Sequence, residues 1–203
     1  MIAIVDYGMG NLRSVQKAFE SIGEDARVIA EAGSLDEAEA VVLPGVGAFS
    51  QARERLGATG LDKKIISLAG SGKPILGICL GMQLLYDCSY EDGKFEGLHI
   101  LKGEVTHFPK TDLKVPHMGW NTLSDIRGQL FDGLLSPCVY FVHSYRISGV
   151  SEDTAAVCDY VSPFTAAAQR GNVFATQFHP EKSGDIGIKI LANFVRAARG
   201  GNA

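Results

Sequence analysis

The sequence lacks the features of membrane-spanning, nucleic-acid-binding and exported proteins. No apolar run approaches the ~20 residues that span a bilayer. The net charge of −4 comes from acidic and basic residues mixed along the chain, without the basic run typical of nucleic-acid binding. The N-terminal apolar run has no basic segment before it, so it indicates a strand rather than a signal peptide. We therefore expect a cytoplasmic protein with no nucleic acid and no membrane among its partners.

Cysteine is scarce and widely spaced. None of Cys79, Cys88, Cys138 and Cys158 forms a C-x-x-C pair. A chain of 203 residues can bury enough surface to fold without disulfides, so we expect free thiols, three of them small buried side chains. The sequence also has no Walker-type phosphate loop and no residues at metal-ligand spacing. We expect neither a metal nor another cofactor.

Strand and helix patterns alternate in the first half of the chain. Short apolar runs are followed by turns, several rich in glycine, and then by stretches with apolar residues at helical spacing. The predicted strands are Ile2 to Val5, Val41 to Leu43 and Pro74 to Ile78, and the predicted helices are Leu12 to Ile22, Phe49 to Leu56, Leu61 to Leu68 and Leu80 to Tyr86. This repetition favours a parallel sheet with helices on both faces.

The second half changes to strands separated by turns rich in Gly, Pro, Asn and Asp, which favours hairpins. A helix from Gly184 to Ala198 closes the pattern, and the tail after Arg199 is predicted to be disordered. The predicted strands are Leu98 to His107, Val115 to Trp120, Val139 to His143, Ala155 to Tyr160, Phe164 to Gln169 and Val173 to Phe178. We expect one α/β domain over residues 1–203, flavodoxin-like, with an open, mostly parallel sheet extended by antiparallel strands.

The strongest chemical signal surrounds Cys79. The segment Gly77-Ile78-Cys79-Leu80-Gly81 has the form G-x-C-x-G and lies between a predicted strand and a predicted helix. This context is typical of a nucleophile elbow, in which the reactive side chain occupies a sharp, strained turn. Flanking glycines allow the backbone to approach itself closely there. A lone cysteine is usually a small buried residue, but the strand–turn–helix context makes Cys79 the candidate nucleophile.

A cysteine nucleophile needs a base, and His179 is the best placed of the five histidines. It lies in Gln177-Phe178-His179-Pro180-Glu181, directly after an apolar strand. Because catalytic groups gather at the carboxyl ends of parallel strands, His179 is expected at the same sheet edge as Cys79. Glu181 can accept a hydrogen bond from the imidazole and orient it, as the third member of a triad does. His143, by contrast, is predicted to be a structural histidine.

Acyl transfer also needs donors for the oxyanion. The backbone N–H of Leu80 supplies the first. The second is predicted in Pro44-Gly45-Val46-Gly47, which follows a buried strand and whose glycines free the backbone to turn an N–H inward. With glycine on both sides, the Gly45–Val46 peptide can adopt two orientations, one that completes the oxyanion hole and one that does not. Alone, such a segment would be an ordinary turn.

These motifs together resemble the class I, triad-type glutamine amidotransferases, and the similarity runs the length of the chain. The segments GICLGMQLL and QFHPEKS carry the family resemblance. Within the family, VVLPGVGAF, VPHMGWN, YFVHSY and DYGMGNL resemble the glutaminase subunits of imidazole glycerol phosphate synthases, and HMGWN discriminates best. The resemblance implies glutamine hydrolysis through a thioester, with ammonia passed to a cyclase subunit in a heterodimer of histidine biosynthesis.

The resemblance also assigns roles to matching positions. It implies a triad of Cys79, His179 and Glu181, with Val46 as the loop residue whose peptide turns to complete the oxyanion hole. The residues implied to hold glutamine are Gly47, Gln83, Ser144 and Tyr145. Those implied to line the face toward the cyclase are Asn11, His117, Trp120, Tyr140 and Lys182. Simpler interpretations stay open: Trp120 and Tyr140 as core residues, Asn11 as a helix cap and Lys182 as a solvated side chain.

Three other functions compete with this one. The chain could serve another amidotransferase, such as anthranilate or aminodeoxychorismate synthase, although HMGWN and PGVGAF argue against it. It could be a free-standing hydrolase of γ-glutamyl or peptide bonds, which needs no partner. It could also be a binding module that keeps the fold without the chemistry, but the intact triad argues against that.

Overall fold

The computed structural model describes residues 1–200. The strands are β1 (Ile2–Val5), β2 (Ala26–Ile29), β3 (Ala40–Leu43), β4 (Ile75–Ile78), β5 (Cys88–Ser89), β6 (Phe95–Glu96), β7 (Glu104–His107), β8 (His117–Thr122), β9 (Cys138–His143), β10 (Tyr145–Ser148), β11 (Thr154–Tyr160), β12 (Ser162–Arg170) and β13 (Val173–Thr176). The α-helices are α1 (Leu12–Ser21), α2 (Phe49–Thr59), α3 (Leu61–Gly70), α4 (Leu80–Leu84) and α5 (Gly184–Ala198). Short 3-10 helices cover Ala32–Glu37, Gln129–Phe131 and Pro180–Lys182.

The main sheet has a parallel half and a largely antiparallel half. Its strand order is β2-β1-β3-β4-β13-β12-β10-β7-β5-β6, with β11 paired to β12. The first five strands in this order run parallel. From β13 onward, each pair is antiparallel except β5 with β7. The predicted fold class, an α/β protein with a mostly parallel sheet extended by antiparallel strands, is confirmed.

Helices cover both faces of the parallel half because its strands are apolar on both sides. Along β1, Ile2 and Ile4 pack into one hydrophobic cluster while Ala3 and Val5 pack into the other. Helices α1 and α5 close the first cluster, where Phe19 stands edge-on to a phenylalanine of α5 at 6.4 Å. Helices α2, α3 and α4 close the second. Each fully buried large apolar side chain stabilises the fold by ~1.5–3 kcal/mol relative to exposure.

Several predicted boundaries shift for identifiable reasons. The predicted strand from Leu98 to His107 begins only at Glu104, because the backbone before it closes the end of α4. The amide of Leu98 donates to Leu84 O at 2.8 Å, and that of Leu101 donates to Leu85 O at 2.9 Å. Helix α4 is correspondingly shorter than predicted. Strands β2 and β10 were not predicted, since β2 is half exposed and β10 follows β9 after a single residue. Of the tail predicted to be disordered, residues 201–203 lie outside the described residues.

Strands β8 and β9 form a separate two-stranded antiparallel sheet rather than an extension of the main one. We call this pair the β8–β9 sheet. Its register places His117 opposite His143 and Trp120 opposite Tyr140. Within residues 1–200, no helix is long and apolar enough to cross a bilayer. The β8–β9 sheet stands close to the carboxyl ends of the parallel strands, because the amide of His179 donates to Tyr140 O at 3.0 Å.

Candidate active site

The candidate site lies at the carboxyl ends of four neighbouring parallel strands. Tyr7 follows β1, the segment 44–47 follows β3, Cys79 follows β4 and His179 follows β13. Parallel strands end at a common sheet edge, so segments far apart in sequence converge there. A cavity of about 400 Å³ opens between them. Its lining includes Val46, Gly47, Cys79, Leu80, Gln83, Glu91, His143, Ser144, Tyr145 and His179.

Cys79 occupies a strained turn between β4 and α4. Its backbone has φ +54° and ψ −110°, a region that residues with a Cβ rarely adopt and that commonly marks a functional site. Its amide donates to Thr176 O at 2.7 Å, which holds the turn to β13. A Cβ at Gly81 would overlap the carbonyl oxygen of Leu43, so this position needs glycine. The geometry is that of the predicted nucleophile elbow.

His179 and Glu181 form a buried ion pair beside Cys79. The distance from His179 Nδ1 to Glu181 Oε1 is 2.8 Å, and their side chains are 2% and 1% exposed. The short 3-10 turn at Pro180–Lys182 brings the two side chains together across a single proline. The hydroxyl of Ser183 donates to His179 O at 2.7 Å and thereby stabilises this turn.

The electrostatics favour a protonated imidazole. Burial lowers the pKa of His179, but its interactions with Cys79 and Glu181 outweigh this effect and raise the pKa to about 10. The Nδ1–H donates to Glu181, and Nε2 makes no hydrogen bond of standard geometry within residues 1–200. Since Cys79 and His179 line the same cavity, Nε2 is left available to the sulfur and to a substrate.

The segment Pro44–Gly47 is anchored by Tyr7, a residue that sequence reasoning did not assign to the site. The Tyr7 hydroxyl donates to Pro44 O at 2.9 Å. Burial and the nearby Cys79 raise the pKa of Tyr7, so its hydroxyl keeps its proton as a donor. A Cβ at Gly45 would overlap that hydroxyl and lie 3.0 Å from Leu80 Cβ, so the segment packs directly against the start of α4.

The four residues predicted to hold glutamine all line the cavity. Gln83 donates its Nε2 to Tyr145 O at 2.9 Å and to Gln177 Oε1 at 3.0 Å. Gln177 in turn directs its Nε2 at Cys79 Sγ, 3.8 Å away. The sequence motif did not predict this contact of Gln177, although Gln177 lies only two residues before His179.

Glu91 was also missed, and it is the one carboxylate in the described lining of the cavity. Its Oε2 accepts a hydrogen bond from the amide of Phe49 at 2.8 Å. Burial raises the pKa of Glu91, while the hydrogen bond from Phe49 opposes the rise. Nothing in the local sequence marks this residue, because it reaches the cavity from the turn between β5 and β6.

Of the residues predicted for the partner face, three are exposed, Tyr140 is partly buried and His117 is buried. Trp120 is 58% exposed and packs edge-on to Tyr140 at 6.2 Å, so the interpretation of Trp120 as a core residue is wrong. Asn11 and Lys182 are exposed, and Asn11 makes no side-chain cap to α1. His117, however, is only 3% exposed, because strand alternation directs it inward while Trp120 points outward. The prediction that His117 itself lines this face therefore needs correction: it lies beneath it.

The sequence comparisons agree with this geometry. Residues 3–198 match the family described as glutamine amidotransferase class-I. The chain is 50% identical over 197 residues to imidazole glycerol phosphate synthase subunit HisH of Caldanaerobacter subterraneus, covering 96% of this chain and 97% of that protein. It is 51% identical over 205 residues to the HisH subunit of Syntrophotalea carbinolica, covering 96% and 98%.

Solved structures show the same fold at lower identity. A crystal structure of a glutamine amidotransferase superposes with a TM-score of 0.78 at 18% identity, covering 98% of this chain and 100% of that one. The structure of PurLQS from Thermotoga maritima gives a TM-score of 0.70 at 21% identity, with 97% of each chain covered. The family match over nearly the whole sequence, together with the elbow and the buried His–Glu pair, shows that this chain belongs to the class I glutamine amidotransferase family.

Proposed function

We propose that this protein is the glutaminase subunit of an imidazole glycerol phosphate synthase. The observation that carries the proposal is that Cys79, on a strained elbow, lines the same cavity as His179, which is paired with the buried Glu181. Identity near 50% to HisH subunits over nearly the full length supports this function over another amidotransferase. A free-standing hydrolase would not need the aromatic pair beside the site, in which Trp120 is exposed and Tyr140 partly buried.

In the proposed reaction, Cys79 Sγ attacks the side-chain carboxamide carbon of glutamine. The tetrahedral oxyanion is held by the amides of Leu80 and Val46, and each such donor contributes on the order of 10²–10³ in rate. When the C–N bond breaks, His179 gives its proton to the departing nitrogen, which leaves as ammonia. A water molecule then attacks the thioester while His179 takes up its proton, and glutamate is released. Glu181 orients the imidazole and stabilises its charged form in both steps.

The same cavity provides for the α-ammonium and α-carboxylate of the substrate. Glu91 places a carboxylate where it can pair with the α-ammonium. Gly47, Gln83, Ser144 and Tyr145 offer backbone groups, an amide and hydroxyls to the remaining polar atoms. The chain itself supplies every group that this hydrolysis needs.

The ammonia is proposed to pass to a cyclase subunit docked on the β8–β9 sheet. Trp120 and Tyr140 give this face an aromatic centre, and Asn11 and Lys182 add exposed polar groups. With that ammonia, the cyclase forms imidazole glycerol phosphate and aminoimidazole carboxamide ribonucleotide in histidine biosynthesis. The working unit is then a heterodimer.

The central experiment measures glutamate release from glutamine by the subunit alone, with the cyclase, and with the cyclase and its nucleotide substrate. Cys79→Ser should abolish release. Cys138→Ser should not, since Cys138 is exposed, contrary to the prediction that it is buried like Cys88 and Cys158. Added ammonia should still support cyclisation in the complex that carries Cys79→Ser. Glutamate release by that variant would overturn the assignment of the nucleophile.

The same measurement tests regulation. If the Gly45–Val46 peptide completes the oxyanion hole only when the partner and its nucleotide are bound, kcat should rise by ~10²-fold or more with little change in glutamine KM. The missing donor corresponds to ~2.7–4 kcal/mol in the barrier. Full activity of the isolated subunit would mean that the hole is already formed and that no such switch operates.

A further inference from the structure

A line of hydrogen bonds runs beneath the face of the β8–β9 sheet that carries Trp120. It ends at the carbonyl of Tyr145, a residue that lines the glutamine cavity. The ring nitrogen His117 Nδ1 lies 3.2 Å from His143 Nε2, and His143 Nδ1 lies 2.8 Å from Tyr145 O. At the other end, His117 Nε2 lies 3.4 Å from Asn121 Nδ2. His117 and Asn121 belong to β8, His143 to β9, and Tyr145 lines the cavity. Neither histidine takes part in the proposed reaction.

Both ends of this line fix the same direction of donation. A carbonyl can only accept, so His143 Nδ1 must carry the proton that bonds to Tyr145 O. At the far end, Asn121 Oδ1 accepts from the amide of Thr122 at 2.8 Å, which leaves Asn121 Nδ2 to donate to His117 Nε2. Each neutral imidazole then has one donor and one acceptor. His117 Nδ1–H must therefore donate to His143 Nε2, and the line is consistent from end to end.

The surroundings keep both rings neutral, as this direction requires. His117 is stacked between Tyr160 at 4.0 Å and Phe141 at 4.7 Å. His143 packs against Phe108 at 5.3 Å and Phe164 at 5.2 Å. Burial lowers the pKa of His117 to about 4 and that of His143 to about 3. A second proton on His143 would place its Nε2–H against the N–H of His117. A second proton on His117 would remove the acceptor for Asn121.

We propose that His117 and His143, each protonated on Nδ1, form a directional relay through which the β8–β9 sheet positions the Tyr145 carbonyl in the glutamine cavity. That carbonyl also accepts from Gln83 Nε2, and Gln83 contacts the amide that points at Cys79 Sγ. The relay therefore connects the partner-facing sheet with a substrate-binding side chain and with the nucleophile. The two histidines are positioning residues, and the inference rests on the proposed glutaminase function.

Nuclear magnetic resonance tests the relay directly on the full wild-type chain labelled with ¹⁵N-histidine. An N–H···N bond transmits a nitrogen–nitrogen coupling, so His117 Nδ1 and His143 Nε2 should be coupled. The ring nitrogen shifts should show both histidines neutral, with the proton on Nδ1, at pH 7. A missing coupling, or a proton on Nε2 of either ring, would overturn the proposal whatever the enzyme's activity. This measurement needs no variant and does not depend on the partner.

Kinetics of the complex then test the consequence. His117→Phe keeps an aromatic ring in the stack but removes both nitrogens, and it should raise glutamine KM about five- to tenfold, the worth of one neutral hydrogen bond. Rates with saturating glutamine should stay within about twofold. Tyr160→Phe is the matched control, because it keeps the ring on His117 and removes only the bond from its hydroxyl to Lys114 O.

The outcomes separate the relay from simple packing and from the proposed function. A raised KM in His117→Phe, with wild-type KM in Tyr160→Phe, supports positioning. Equal effects in both variants, or an unchanged KM in His117→Phe, would show that the histidines only fill space. If the wild-type complex releases no glutamate, the proposed function fails, whereas the nitrogen coupling still decides whether the relay exists.

Discussion

Tyr7 and Pro44 are joined by a hydrogen bond of 2.9 Å from the phenol hydroxyl to the carbonyl oxygen, across the carboxyl ends of β1 and β3. The bond is buried, and it fixes one end of the segment that contains Val46. Because a buried carbonyl is seldom left without a donor, the position of this segment depends on Tyr7. A residue outside the proposed triad is therefore expected to position the group proposed to complete the oxyanion hole.

We expect Tyr7→Phe to lower kcat/KM for glutamine in the complex by about tenfold, through loss of a hydrogen bond worth ~0.5–1.5 kcal/mol and the release of the segment. Steady-state glutamate production gives the measurement. Tyr90→Phe is the control, since Tyr90 also donates its hydroxyl, to Glu104, but is exposed and lies outside the cavity. Equal kinetics for the two variants would show that Tyr7 does not position the segment.

His179→Asn should lower kcat by several orders of magnitude, and Glu181→Gln by less. General acid–base catalysis alone contributes ~10²–10⁴-fold, and His179 transfers protons in both half-reactions. Glu181 acts only through the orientation and charge of the imidazole, across a contact of 2.8 Å. Rapid-quench measurement of a single turnover would separate acylation from hydrolysis. Equal losses in the two variants would mean that the triad acts as one unit.

The raised pKa of His179 predicts how stability changes with pH. The folded protein binds this proton more tightly than the unfolded chain, whose histidines titrate near 6.5. Its contribution to the free energy of unfolding is complete below about pH 6.5 and is lost as the pH rises toward 10. Urea unfolding of the wild type should therefore lose stability over this range more steeply than His179→Gln.

Glu91→Gln should raise glutamine KM about tenfold or more, because a charge-assisted hydrogen bond to the α-ammonium, worth ~1.5–3 kcal/mol, is lost. As the pH is lowered, protonation of Glu91 removes the charge that pairs with the α-ammonium, and KM rises. Since burial raises the pKa of Glu91, this rise should begin at a higher pH than it would for an exposed glutamate. Both effects are read from KM measured across pH. Asp92→Asn removes a neighbouring charge as the control, and an equal KM change there would indicate a general electrostatic effect.

Trp120→Ala should weaken binding of the cyclase by ~2 kcal/mol or more, about thirtyfold in Kd, without unfolding the subunit. Its side chain is 58% exposed, so truncation removes little of the folded core. Titration calorimetry would give Kd, and thermal melting of the isolated subunit would give stability. Leu135→Ala is the control, at a side chain that is 95% exposed. Unchanged Kd with Trp120→Ala would place the partner on another surface.

The sequence predicted the grouping of Cys79, His179 and Glu181 and four of the five strands of the parallel half, because both depend on short-range patterns. Cys79 is marked by glycines two residues away on each side, and His179 and Glu181 are two residues apart. Tyr7 and Glu91 could not be assigned, since their roles depend on contacts with Pro44 and Phe49, which are 37 and 42 residues away. No local sequence pattern indicates a contact between residues so far apart in the chain.

The partner face illustrates a different limit. HMGWN suggested that His117 and Trp120 share one surface, yet residues three apart on a strand point to opposite sides. Motif resemblance identifies a segment but not which of its side chains turn inward. The burial of His117 depends on the pairing of β8 with β9 and on the stacking of its ring between Phe141 and Tyr160, and neither can be read from the segment alone.

The separate β8–β9 sheet also has a mechanical consequence. In the described part of the chain, its ladder is not continuous with the main sheet, so no strand-to-strand hydrogen bond of the main sheet would have to break if this pair shifted. Two hydrogen bonds of Tyr140 join the β8–β9 sheet to the turn that carries His179. The Tyr140 carbonyl accepts from His179 N, and the Tyr140 amide donates to Ser183 Oγ, each at 3.0 Å. A displacement of this sheet by a protein docked at Trp120 would therefore act on the backbone that carries the His179 imidazole.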